Sequence, residues 1–191
     1  MFYDAEQDPL CYAGTAVLRN RLGLRRQDDL TDFEFAMFLS RAAEPLPAGD
    51  FDFAHYRAMH HHLFQDVYEW AGEIRTLRTG KGGNWFCYPE HIEAEANRLF
   101  LWLAERKSLV GRSDEVFPAE AAYLLSELNA IHAFREGNGR TQLVFLKALI
   151  LHAGRPFDDD AIAPARTLDA MVQSFGGNLA PLTALIADIV A

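Results

Sequence analysis

The chain has 191 residues, half of them hydrophobic, and 18 Lys and Arg against 27 Asp and Glu give a formal net charge of −9. That length and apolar share suit one domain spanning 1–191 with a sizeable core, while the acidic balance excludes a general attraction to nucleic acid, so any polyanion contact must be local. With no basic region followed by an apolar run at the N-terminus the expected location is cytoplasmic, and Cys11 and Cys87, far apart and outside any CxxC pair, read as reduced packing residues.

Along the chain, helical periodicity dominates. It first shows in Phe33, Phe35, Ala36, Phe38 and Leu39, and Pro45–Gly49 then breaks the chain as an interhelical loop. Asp50 or Asp52 is placed to cap a second helix, read from Phe53 through Trp70. Within it, His60, His61 and His62 are consecutive, so their side chains point about 100° apart and cannot all ligate one metal. The segment Ile74–Cys87 departs from this pattern, with β-formers on both sides of a glycine-rich turn, and predicts a small hairpin with a basic, exposed tip. It is either a solvated surface hairpin or a flap offering backbone hydrogen bonds to a docking peptide.

Pro89 and Pro118 fit the first turns of two further helices, carrying the apolar runs Ile92–Leu103 and Ala121–Leu128. Leu143–Leu151 reads as a buried helix stopped by Gly154 and Pro156; at nine residues it falls short of the roughly 20 needed to cross a bilayer. The fold class predicted is all-α with one small β-hairpin.

Between the fourth and fifth of these helices lies His132-Ala133-Phe134-Arg135-Glu136-Gly137-Asn138-Gly139-Arg140. Glycines at 137 and 139 let the backbone bend and approach a ligand, and the helix that follows makes main-chain N–H groups converge on an anion. His132 is a candidate general base, Glu136 a candidate metal ligand and Arg140 a phosphate-binding fork. Together they suit phosphoryl or nucleotidyl transfer.

This stretch resembles the signature of the Fic-domain family, His-Pro-Phe-x-(Asp/Glu)-Gly-Asn-Gly-Arg-x-x-Arg, at seven of nine specified positions; Ala133 and Leu143 are the departures. Gly14-Thr15-x-x-Leu18-x-Asn20-x-Leu22-Gly23, Phe51–His55 and His60–Gly72 are similar to the bacterial toxin branch, so the resemblance covers nearly the whole chain. It implies a helical domain that transfers AMP from ATP, with magnesium (Mg2+), to a hydroxyl of a target protein. His132 would take the hydroxyl proton, Glu136 would hold the metal, Gly137, Asn138 and Gly139 would cradle the phosphates, and Arg140 would grip a β-phosphate oxygen. Phe134 would anchor the loop on the core.

The hairpin matches the place of the family's target-docking flap, which assigns Arg78, Thr79 and Gly80 to the target and Lys81 and Gly82 to the nucleotide. Asp169–Phe175 and the turn Gly176-Gly177-Asn178 are the expected walls of the adenine pocket. The resemblance further implies a type II topoisomerase subunit as target and a small separate antitoxin carrying an inhibitory glutamate helix. The acidic balance and the short apolar run predict no direct nucleic-acid contact and no membrane. The nearest internal look-alike of that helix, Ser40–Glu44 followed by Pro45, departs from the inhibitory pattern. At Leu143 the family's second arginine, which contacts the terminal phosphate, is missing. That opens a second expectation, a weakened or inactive domain that binds nucleotide or a partner, unless Gln142, Arg75 or Arg78 supplies the lost contact; Lys147 lies too far along the helix.

Overall fold

Seven α-helices and one two-stranded hairpin are seen in a computed structural model that describes residues 8–81 and 83–191. The helices are α1 (Gln27–Ala42), α2 (Phe53–Phe64), α3 (Pro89–Glu105), α4 (Phe117–Ile131), α5 (Asn138–His152), α6 (Pro164–Phe175) and α7 (Ala180–Ile189). Their starts follow local chemistry. The Asp52 carboxylate accepts from the His55 N–H at 2.7 Å and caps α2, while Pro89 and Pro118 occupy first-turn positions where the missing N–H costs nothing.

One expectation needs correcting. The second helix ends at Phe64 and not at Trp70. Arg41 on α1 takes both Asp66 carboxylate oxygens at 2.6 and 2.8 Å, and His61 Nδ1 meets the Ala71 carbonyl at 2.9 Å. These contacts hold residues 65–72 in turns, where Tyr68 and Trp70 stack at 4.3 Å between ring centroids and fill the core. Large apolar side chains at helical spacing here serve a packed turn. The triplet is dismantled as expected: His60, His61 and His62 each bond a different backbone carbonyl.

The hairpin is also shorter than the span 74–87 suggests. Its strands are β1 (Gly80–Lys81) and β2 (Asn84–Trp85), antiparallel, with Gly80 opposite Trp85. No helix of the described residues is long and apolar enough to cross a membrane.

Two apolar clusters form the interior. The larger joins Phe53, Tyr56 and Met59 of α2 to α3, α4, α5 and α7; the smaller joins Leu63 and Phe64 of α2 to Leu30 of α1 and to Val67, Tyr68 and Trp70. Helix α2 therefore belongs to both, and so does α5, with Phe145 and Leu149 in the first and Val144 against the second. The motif loop sits where the two clusters meet.

Candidate active site

Helix α4 ends on His132, whose backbone is left-handed (φ 49°, ψ 61°). Glycine or asparagine usually fills such a position, and a β-carbon there costs on the order of 1 kcal/mol. That cost is offset by what the conformation does: the imidazole lies flat on the Phe86 ring, 3.7 Å between centroids and 3° between planes. Ring nitrogen Nδ1 is buried. Burial, followed by the positive charges of Arg75 and Lys81, lowers the pKa of His132 to about 3, against a weaker opposite pull from the Asn129 backbone. The ring is neutral at pH 7 and able to accept a proton.

The residues that follow are tied down one by one. Phe134 is fully buried, and its ring stacks on His60 at 3.8 Å. Asn138 closes the loop on itself, Oδ1 accepting from the Phe134 N–H at 2.9 Å and Nδ2 donating to the Phe134 carbonyl at 2.7 Å. Its side chain is thus spent on structure, and only its backbone N–H remains for an anion. Arg135 is paired with Asp8 at 2.8 Å. His60 accepts the Gly72 N–H at Nδ1, 2.8 Å, so its Nε2 carries the proton and donates to the Glu136 carbonyl at 2.9 Å.

At the start of α5, Gly137 has φ +78°, and a β-carbon there would lie 2.5 Å from the Phe64 ring. Gly137 is required by the protein itself. Gly139 is different: its φ is unexceptional, and a β-carbon would meet nothing within 4 Å. A glycine in a helix costs roughly 0.5–1 kcal/mol relative to alanine, and no neighbour here demands it. The open space lies over the first turn of α5, where helical N–H bonding begins only with Thr141 to the Gly137 carbonyl at 3.0 Å. Free N–H groups at such a helix N-terminus suit an anion.

Glu136 is exposed, with Oε1 on the Gly137 N–H at 2.9 Å and 3.6 Å from Arg140. Among the described residues there is no group of three or more His, Cys, Asp or Glu able to hold a metal. One carboxylate beside a phosphate cradle nonetheless fits magnesium, which keeps waters and takes substrate phosphate oxygens. Arg140 stands over the Phe64 ring at 4.8 Å and forms an ion pair with Glu34 of α1, whose other oxygen accepts from the Tyr68 hydroxyl. A cleft of about 300 Å³ opens beside this group, lined by Gln27, Thr31, Glu34, Tyr68, Arg135 and Glu136.

Glu34 is the site residue that local motif reading misses. Its signal is a carboxylate on the buried stripe of α1, one turn after Leu30.

The hairpin brings some assigned residues close and not others. Phe86 stacks on His132, and the charge of exposed Lys81 acts weakly on the same ring. Arg78 is exposed and sandwiched by Trp85 at 4.4 Å and Tyr88 at 4.0 Å. Thr79 is buried, its carbonyl taken by the Phe86 N–H at 3.0 Å, and Gly80 is buried beside it. Gly82 lies outside the described residues. The substitutes considered for the missing arginine are engaged elsewhere. Arg75 is buried on backbone carbonyls, Gln142 is buried and donates to the Leu128 carbonyl at 3.2 Å, and Arg78 stacks between Trp85 and Tyr88; Lys147, already excluded by its distance along α5, pairs with Asp159 at 2.7 Å.

A helical fold with a neutral histidine beside a glycine-opened helix N-terminus defines a phosphate-handling domain. More particularly, the family model described as Fic/DOC matches residues 50–150, and the chain belongs to that family. It is 61% identical to a probable protein adenylyltransferase, y4lH, of Sinorhizobium fredii, with 96% of each chain covered. It is 36% identical to the probable protein adenylyltransferase Fic of Salmonella typhimurium, over 94% of this chain and 90% of that one. Among solved structures, the BepC protein of Bartonella tribocorum, a VirB-translocated effector with bound AMPPNP, superposes with a TM-score of 0.85 at 28% identity, covering 98% of each chain.

Proposed function

We propose that this chain is a protein adenylyltransferase that moves AMP from ATP to a hydroxyl of a target protein. The observation that carries the reading is the pairing of a neutral, half-buried His132 with the open first turn of α5 at Gly139. The target oxygen attacks the α-phosphorus, the bond to pyrophosphate breaks, and the hydroxyl proton passes to His132 Nε2. General-base help of this kind is worth about 10² to 10⁴ in rate. A pKa near 3 makes the ring a weak base in the free protein, and the negative charge of a bound triphosphate raises it, so base strength arrives with the nucleotide.

The N–H groups of Asn138, Gly139 and Arg140 hold phosphate oxygens, and the Arg140 guanidinium adds a charged fork whose orientation Glu34 fixes. Glu136 is the residue that would hold magnesium, which neutralises phosphate charge and favours departure of pyrophosphate. Asp169–Phe175 and Gly176–Asn178 wall the adenine, Lys81 and Gly82 assist the nucleotide, and Arg78, Thr79 and Gly80 belong to the target-docking flap. That docking face has Trp85 and Tyr88 around Arg78, a composition common where proteins bind one another. The toxin role in the cytoplasm, the type II topoisomerase target and the separate antitoxin rest on the N-terminal resemblance. A second reading, a weakened nucleotide-binding domain, is favoured by Leu143, which is half-buried and apolar where the family has arginine.

Incubating the chain with bacterial lysate and α-labelled ATP, beside His132→Ala, separates the two. Label on target protein that vanishes in the variant is the expected result. Labelled nucleotide bound but never transferred would leave the second reading.

A further inference from the structure

The buried cation Arg75 lies outside the motif, and its bonds tie together every part that carries the base. Nε donates to the His132 carbonyl at 2.7 Å, Nη1 to Leu77 at 2.6 Å, and Nη2 to Cys87 at 2.5 Å and Ile131 at 3.3 Å. Its own backbone N–H reaches the Ala133 carbonyl at 2.9 Å, and the Cys87 N–H returns to Ala130 at 3.0 Å. Leu77 and Cys87 lie on the segments that lead into and out of the hairpin, whereas Ile131, His132 and Ala133 are the end of α4 and the entry to the motif. Arg75 is 3% exposed.

Orienting a residue at a helix C-terminus in the left-handed region leaves its carbonyl and those before it outside the helical ladder. Commonly a glycine and a following turn satisfy them. Here a single planar fork takes two of them and both segments flanking the hairpin. Lysine cannot substitute, because an ammonium is a point donor without that fixed span. We infer that Arg75 is a positioning residue for the transfer reaction: it locks the flap to the end of α4, so that Phe86 is held against the His132 ring and the base and the docking flap move as one body. This rests on the proposed transfer activity for its consequence, but the clamp itself has readouts that do not.

Two kinds of observation support the link. The stack of Phe86 on His132 is the direct product of fixing Cys87 one residue away. Arg75 also acts on the ring through charge. Among the described residues, the groups that act on the His132 ring are Arg75 and Lys81 from the hairpin segment, the Phe86 ring and the Asn129 backbone of α4.

The test uses the full chain. In the wild type, the Arg75 Nε proton should be visible by NMR at pH 7 and exchange with water at least about 100-fold slower than in free arginine, as befits a buried bond. Free exchange would overturn the clamp whether or not the protein transfers AMP. Arg75→Lys should lower kcat about 10- to 100-fold, the scale expected of a reacting group displaced by about 1 Å, with KM for ATP changed less than about threefold because the anion cradle at 137–140 is built without Arg75. It should also broaden or shift the His132 ring resonances, assigned against His132→Ala. Unchanged kcat and ring resonances, or a KM that rises in step with lost stability, would reduce Arg75 to a fold residue. If the wild type transfers nothing, the function fails, and the Nε exchange and ring resonances still decide the clamp.

Discussion

The motif loop from His132 to Gly137 and the hairpin at Gly80–Trp85 face the same site and are held in opposite ways. In the loop, Ala133, Phe134 and Gly137 are buried, and side chains from α2, α5 and the hairpin base bond its backbone. In the hairpin each strand has two residues, Lys81, Asn84 and Trp85 are exposed, and the anchorage is at the base. So short a ladder has no independent stability. The difference matches the two tasks in the proposed reaction. Proton transfer tolerates little displacement, whereas a face that receives a protein partner tolerates adjustment.

Acid is the strongest way to break the comparison, because it attacks the loop and spares the hairpin tip. His60 and His132 both have folded pKa values lowered to about 3, His60 mainly by burial, against 6.5 for the ordinary ring. Below pH 6.5 the unfolded chain binds protons that the folded chain refuses, so stability falls as pH drops from 6.5 towards 3 and is fully present above 6.5. Linkage puts the loss between pH 7 and pH 5 at about 2 kcal/mol per ring. Urea midpoints at the two pH values should differ accordingly, and His60→Gln should remove about half of the difference. Equal midpoints would show that the rings are not held neutral.

Gly137→Ala breaks the loop from within. A left-handed alanine costs roughly 1–2 kcal/mol, and the clash with the Phe64 ring adds about 1–3. The variant should lose about 2–5 kcal/mol in urea, and transfer should fail with the fold.

How far these features were legible depends on the distance of the partner. Asp52, Pro89 and Gly154 announce helix ends through groups within four residues, and the motif is contiguous, so both read directly. Glu34 and Arg140 are 106 residues apart, His60 and Glu136 are 76, and Arg75 and His132 are 57. No local pattern encodes those pairs. What the sequence does show is polar residues on apolar helix faces, Glu34 beside Leu30 and His60 beside Met59. Periodicity misleads at Tyr68 and Trp70 because burial, not helix, is what it reports.

Leu143→Arg tests whether the cradle lacks one contact. A charged hydrogen bond of about 1.5–3 kcal/mol corresponds to a roughly 10- to 100-fold tighter grip, so KM for ATP should fall by about that much with kcat little changed. No change would mean that the terminal phosphate is not within reach of α5. Gly139→Ala works in the other direction. It should gain about 0.5–1 kcal/mol of stability as a better helix former, yet weaken nucleotide binding, because its methyl enters the space kept open over the first turn. A stabilised variant with unaltered ATP affinity would remove the phosphates from that position.

The smallest expected change in stability belongs to the hairpin and sharpens the contrast most. Trp85 is 49% exposed, and its described ring partner is Arg78 at 4.4 Å. Such an exposed cation–π contact is worth about 0.5–1 kcal/mol, and Arg78 keeps Tyr88 on its other side. Trp85→Ala should therefore shift the urea midpoint little and leave KM for ATP alone, while lowering label transfer to the target protein several-fold. A matching loss in ATP affinity would place the hairpin with the cradle and dissolve the division of labour between the two regions. Loss confined to the target protein would show that Trp85 serves recognition alone, while the hairpin base, through Arg75, serves the base.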